Sequence, residues 1–209
     1  MIKIIAIDID KTLLTSANQL APATIETIKA AQQQGVKVVL CTGRPMAGVA
    51  GFLKQLGLAD LQAEYVITFN GASVATTAGQ LISETGLNYD DYIDLEALSR
   101  RLGVYFQIEN NQRLYTANRD LSKYTIYEAN LVSLQIAYRT PEEMRQVTMP
   151  KAMLVDEPER LTAALAQEEI FQPLQQRFNF MHSAPFFLEV TKKGVNKGAA
   201  LAILAKHLG

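Results

Sequence analysis

Apolar residues in this chain come in short unbroken runs separated by stretches of helical spacing. The first run, Ile4-Ile5-Ala6-Ile7, has no polar alternation and stops at Asp8. Such a run predicts a strand buried on both faces, as in a parallel sheet. Residues 22–34 carry Ile25 and Ile28 at helical spacing, and Gly35 is a fitting stop. A second run at 36–41 ends in Thr42-Gly43-Arg44-Pro45, with Pro45 suited to open a helix. That helix covers 46–56 and closes at Gly57, and a third run at 65–69 ends in Asn70-Gly71-Ala72. The β-α-β-α-β order predicts an α/β fold with a parallel sheet and right-handed crossovers.

Near Gly79 the rhythm changes. Residues 83–86 read as a short strand and 89–102 as a helix ended by Gly103. The stretches 104–109 and 113–116 pair across Asn110-Asn111-Gln112 as a hairpin. A helix at 120–130, strands at 134–138 and 151–156, helical pieces at 157–168 and on to 176, and strands at 178–183 and 186–190 follow. Mixed hairpins and helices predict an α+β domain, 81–190, inserted into a discontinuous core of 1–80 and 191–209. Helix resumes at 195–207, and there are no repeats or low-complexity tracts.

Composition narrows the class. The chain has 209 residues, 48% hydrophobic and 20% charged, ordinary for a globular enzyme. A net charge of −1 gives a nucleic acid or an anionic membrane no field to feel. One cysteine, Cys41, excludes an internal disulfide and fits a reducing, cytoplasmic setting. The N-terminal apolar run meets Asp8 too soon for a signal peptide or a membrane span.

The candidate chemistry sits where the runs stop. In open α/β sheets ligands bind at the carboxyl ends of the strands, and Asp8, Thr42 and Asn70 each stand there, the last two followed by Gly43 and Gly71. Asp8 and Asp10 repel each other unless a cation stands between them, and Mg²⁺ suits an oxygen-only site of one or two carboxylates. A carboxylate at Asp8 can attack phosphorus to give an aspartyl phosphate, with Asp10 as acid and then base. Thr12 and Thr42 are equally suited to cap the segments after them. Lys197, in Gly194-Val-Asn-Lys-Gly198 at a helix start, suits a phosphate. Cys41 reads as a small buried hydrophobe, and His182 and His207 have no metal-ligand spacing.

Together Asp8-Ile-Asp-Lys-Thr-Leu-Leu14, Thr42-Gly-Arg-Pro45, Asn70-Gly-Ala72 and Gly194-Val-Asn-Lys-Gly198 resemble the Cof-type haloacid dehalogenase-like phosphatases, in order along the chain. Leu114-Tyr-Thr-Ala-Asn-Arg-Asp120 and Ser183-Ala-Pro-Phe-Phe-Leu-Glu189 look like the YidA group of sugar phosphatases. The resemblance implies a Rossmann-like core with an inserted α/β cap that selects the leaving group, and Mg²⁺-dependent hydrolysis of small phosphomonoesters. It makes Asp8 the nucleophile and a metal ligand, and Asp10 the acid/base, which gives its backbone carbonyl to the metal as second ligand. Thr42 and Lys197 hold the phosphoryl group, and Gly43, Arg44, Asn70 and Gly71 flank the substrate.

The chain departs from that pattern twice. Lys11 stands where the family has Gly, and the chain stops at His207-Leu208-Gly209 before the family's fourth motif, a strand with Gly-Asp and a further Asp. The resemblance therefore implies a C-terminally truncated core, a metal site one carboxylate short, and an exposed edge on the first strand. Two rival readings share the nucleophile or the ligand: a sugar phosphotransferase, and an impaired module that binds phosphometabolites without turning them over. The exposed edge also offers pairing with a second chain.

Overall fold

The computed structural model describes residues 2–209. It divides into two compact units, Met1–Glu84 with Asn196–Gly209, and Thr85–Val195. The boundaries fall a few residues beyond 80 and 190, because the strand at 81–84 joins the first sheet and the last strand of the second unit runs to Lys192.

The first unit is built on β1 (Ile4–Ile7), β2 (Lys37–Cys41), β3 (Tyr65–Thr68), β4 (Ser73–Thr76) and β5 (Leu81–Glu84), in that spatial order. β1, β2 and β3 are parallel, whereas β4 and β5 return antiparallel, so the sheet is mixed. Helices α1 (Pro22–Gln33) and α2 (Met46–Leu56) cover one face, where Ile28, Val49, Leu53 and Leu56 meet Val38, Leu40 and Val66. The intervening positions Val39, Cys41 and Ile67 face the other way, onto Ala200 and Leu204 of the C-terminal helix Lys197–Leu208. That alternation explains why β2 and β3 read as continuous apolar runs.

β1 does not match its expected burial. Among the described residues it pairs with β2 alone, and Ile5 and Ala6 are exposed, the open edge that the family resemblance implies. An apolar run is the same in sequence at an edge and in the middle, since its neighbours are a tertiary property.

In the second unit, α3 (Tyr89–Leu102) opens with a reciprocal cap in which the Asn88 side chain accepts from the Asp91 N–H and Asp91 accepts from the Asn88 N–H. The sheet comprises β6 (Tyr105–Glu109), β7 (Leu114–Thr116), β8 (Ile136–Tyr138), β9 (Lys151–Val155), β10 (Phe178–Ala184) and β11 (Phe187–Lys192), ordered β10-β11-β9-β6-β7-β8. The hairpin of β6 and β7 forms, with Ile108 opposite Tyr115. One face, with Phe106, Ile108, Leu154 and Val190, packs with α3, α5 (Pro158–Leu165) and α6 (Glu168–Phe171) in an apolar core. The alternate positions Gln107, Glu109, Lys151 and Glu189 point to the opposite face, where α4 (Lys123–Leu131) places Thr125 on Gln107 at 2.8 Å. No helix among the described residues is long and apolar enough to cross a membrane.

Candidate active site

Parallel pairing of β1, β2 and β3 puts their carboxyl ends on one edge of the first sheet. β1 ends at Asp8, and the chain then makes a wide turn closed by Leu13 N–H to Asp8 O and Leu14 N–H to Ile9 O, both 3.1 Å. At its tip Lys11 is left-handed, φ 60°, the conformation that favours Gly. Ile9 and Leu13 anchor the turn in the core while Asp10, Lys11 and Thr12 remain exposed.

β2 delivers Thr42-Gly43-Arg44. Thr42 is fully buried, and its Oγ1 accepts the Arg44 N–H at 3.1 Å. It does not cap α2, whose N-cap is Pro45 itself. β3 is followed by Phe69 and Asn70, whose N–H groups donate to Arg44 O at 3.3 Å and Thr42 O at 2.9 Å. The two loops are therefore stitched together by their backbones. Gly43 fits this seam closely, since a Cβ there would lie 2.9 Å from Asn70 Oδ1. C-terminal helix α7 (Lys197–Leu208) is capped by Asn196, whose Oδ1 accepts the Ala199 N–H at 2.8 Å.

Two ion pairs define the result. Lys197 Nζ donates to Asp8 Oδ1 at 2.6 Å, with both side chains more than a third exposed. Thr12 Oγ1 lies 3.5 Å from Asp8 Oδ2. Arg44, almost buried over the Phe52 ring, grips Asp10 with both arms, Nη2 to Oδ1 at 2.6 Å and Nε to Oδ2 at 3.1 Å. Behind them the Cys41 thiol is pushed up to about 11 by burial, with Lys197 lowering and Asp8 raising it, so it stays protonated and unreactive.

The structure thus brings Asp8, Asp10, Thr42, Gly43, Arg44, Asn70, Gly71 and Lys197 to one strand edge. The groups open to a ligand are Asp8, Asp10, Lys197 and Thr12; Thr42, Arg44 and Asn70 stand behind them, buried. Sequence reading missed that Arg44 holds Asp10. The two lie 34 residues apart, and no spacing marks such a pair. His182 bonds main-chain carbonyls through Nδ1, and His207 packs edge-on against Tyr65.

The model for haloacid dehalogenase-like hydrolases matches residues 5–209. The chain belongs to this family. A Streptococcus pyogenes protein provisionally named a phosphatase is 44% identical over the whole of this chain and 77% of its own length. A Bacillus subtilis protein provisionally named phosphatase YxeH is 37% identical with the same coverage. The fold matches a crystal structure of a haloacid dehalogenase-like hydrolase from Bacteroides thetaiotaomicron with TM-score 0.86 at 24% identity, covering 100% of this chain and 78% of the other. It also matches a subclass IIB sugar phosphatase with TM-score 0.78 at 22% identity, covering 99% and 76%.

No group of three or more His, Cys, Asp or Glu side chains that could hold a metal occurs among the described residues. Asp8 and Asp10 present oxygen donors at this edge, half-exposed and open to water. That donor set fits Mg²⁺, which keeps several waters and takes one or two carboxylates.

Proposed function

We propose that this hydrolase is a Mg²⁺-dependent phosphatase of small phosphomonoesters, sugar phosphates among them, acting through an aspartyl phosphate on Asp8. The observation that carries the proposal is the Asp8–Lys197 pair: an accessible carboxylate with an ammonium 2.6 Å away at a helix N-terminus. An ammonium and a helix N-terminus together attract a phosphoryl dianion toward the carboxylate that is to attack it.

In the first half-reaction an Asp8 carboxylate oxygen attacks phosphorus and the bond to the leaving oxygen breaks. Asp10 gives its proton to that oxygen, releasing the alcohol. In the second, Asp10 takes a proton from water, the water oxygen attacks phosphorus, and the Asp8–phosphorus bond breaks to release inorganic phosphate. The two steps replace one difficult displacement. Arg44 orients the carboxylate form of Asp10, the form that takes the proton from water, by its two-point grip, an arrangement that fixes a carboxylate's plane as well as its position. Buried Thr42 and Asn70, with Gly43 between the loops, keep the loop that carries Arg44 in register. Mg²⁺, when held by Asp8 and Asp10, neutralises phosphoryl charge in the transition state.

The second unit is read as the substrate-selecting cap, and a single buried cysteine fits a cytoplasmic setting. The test is phosphate release from a panel of phosphomonoesters, with Mg²⁺ and with the cation chelated, beside Asp8→Asn. Turnover lost both on chelation and in Asp8→Asn supports the proposal. Saturable binding without turnover by the folded chain would instead make it a binding module, and transfer to a sugar hydroxyl a phosphotransferase.

A further inference from the structure

We infer that Gly71 is a positioning residue for Lys197: the backbone of Asn196 rests on the bare Cα of Gly71, and this seat sets where the Lys197 ammonium meets Asp8. The inference rests on the phosphatase reading for its kinetic readout, though not for its structural one.

The turn that carries Gly71 has an uncommon backbone. Phe69, Asn70 and Gly71 take successive positive φ angles of 51°, 58° and 100°. For a bulky residue such as Phe this region is a true outlier, kept only where the surroundings over-determine it. They do so here. The Phe69 side chain is fully buried, and the Phe69 and Asn70 N–H groups are tied to Arg44 and Thr42. The turn is therefore fixed from the Thr42 side and cannot easily yield.

Its other side meets the start of α7. A Cβ on Gly71 would lie 2.3 Å from the Asn196 carbonyl oxygen, 2.5 Å from its carbonyl carbon and 3.0 Å from the Lys197 nitrogen. These are backbone atoms, which no rotamer change can clear. They also belong to the helix cap: Asn196 Oδ1 accepts from Ala199 N–H and the Asn196 carbonyl from Ala200 N–H at 3.1 Å. Whatever pushes Asn196 pushes the first turn of α7, and Lys197 is its first residue. A displacement of about 1 Å in a reacting constellation can cost on the order of 10²-fold in rate.

Gly79 supplies a matched control. It lies between β4 and β5 at φ 90°, with nothing within 4 Å of an added Cβ. Gly71→Ala and Gly79→Ala both carry left-handed strain, but only the first meets another backbone.

The experiment combines crystal structures of Gly71→Ala and Gly79→Ala with kcat/KM for each, for Lys197→Ala and for the Gly71→Ala/Lys197→Ala double variant. Gly71→Ala should move the first turn of α7, part Lys197 Nζ from Asp8 Oδ1 and lower kcat/KM on the order of 10²-fold. Gly79→Ala should do neither. The double variant should lose no more than Lys197→Ala alone, because Gly71 acts through that lysine. An intact Lys197–Asp8 pair in Gly71→Ala, or a double variant whose loss is the product of the single losses, overturns the inference. Should Gly71→Ala not fold, Gly71→Asn tolerates the left-handed backbone and keeps the collision, so an intact pair in that variant overturns it equally. If the wild type turns over no phosphomonoester, the phosphatase reading falls and the Nζ–Oδ1 distance alone decides the role of Gly71.

Discussion

Glu109→Gln should flatten the pH dependence of stability. Glu109 ends β6 directly opposite Lys151 on β9 and is completely buried. Lys151 Nζ lies 3.3 Å from Glu109 Oε1 and 3.3 Å from Glu189 Oε1 on β11, and the buried Glu128 on α4 also faces the cluster. Neither oxygen of Glu109 accepts a hydrogen bond of good geometry. Burial pushes its carboxyl up to about 8, with Lys151 opposing the shift and Glu128 and Glu189 adding to it. For Lys151 burial acts downward, but the surrounding carboxylates prevail and hold it above its ordinary value.

The sign follows from which state keeps the proton. Above the ordinary value of 4.5 the unfolded chain releases the Glu109 proton, whereas the folded chain retains it up to about 8. Stability therefore falls as pH rises through that window, by as much as about 1.4 kcal/mol per pH unit. Between pH 5 and 7.5 the wild type should lose roughly 3 kcal/mol from this residue, and the Gln variant none. At pH 5 the substitution exchanges one neutral group for another and costs little. The assay is urea unfolding of both proteins by circular dichroism across this range. Curves that stay parallel from pH 5 to 8 would refute the reasoning.

Two further substitutions test the cation of this cluster and the strained turn after β1. Lys151→Met leaves buried carboxylates without their cation and should destabilise by about 3–5 kcal/mol at pH 7, read as a lowered urea midpoint. A variant within about 1 kcal/mol of wild type would show that the cluster is solvated. Lys11→Gly relieves a left-handed side chain at φ 60° and should raise stability by about 1 kcal/mol, seen as a higher Tm. An unchanged or lower Tm would mean that the lysine makes compensating contacts.

Much of the site was legible because its residues stand where apolar runs stop, and parallel pairing brings those stops together. β4 was missed, since Ser73-Val74-Ala75-Thr76 is short and mixed and becomes a strand by pairing back on β3. The exposed edge of β1 followed from the family resemblance and not from the run itself, because pairing on one side only leaves no mark on an apolar run. Arg44 read as a substrate-side residue, and its grip on Asp10, 34 residues away, is a tertiary contact that no spacing marks. The Lys151 cluster was equally silent: a lysine before an apolar run looks like a solvated flank, and its partner Glu189 lies 38 residues away.

The most direct measurement asks where the phosphoryl group goes. The protein is mixed with a turned-over phosphomonoester and Mg²⁺, quenched in acid within the first turnover, digested and analysed by mass spectrometry. A phosphoryl group on the peptide at Asp8, absent in Asp8→Asn, is the predicted result. Turnover with no phosphoryl group on Asp8, or with one on another side chain, would contradict the account.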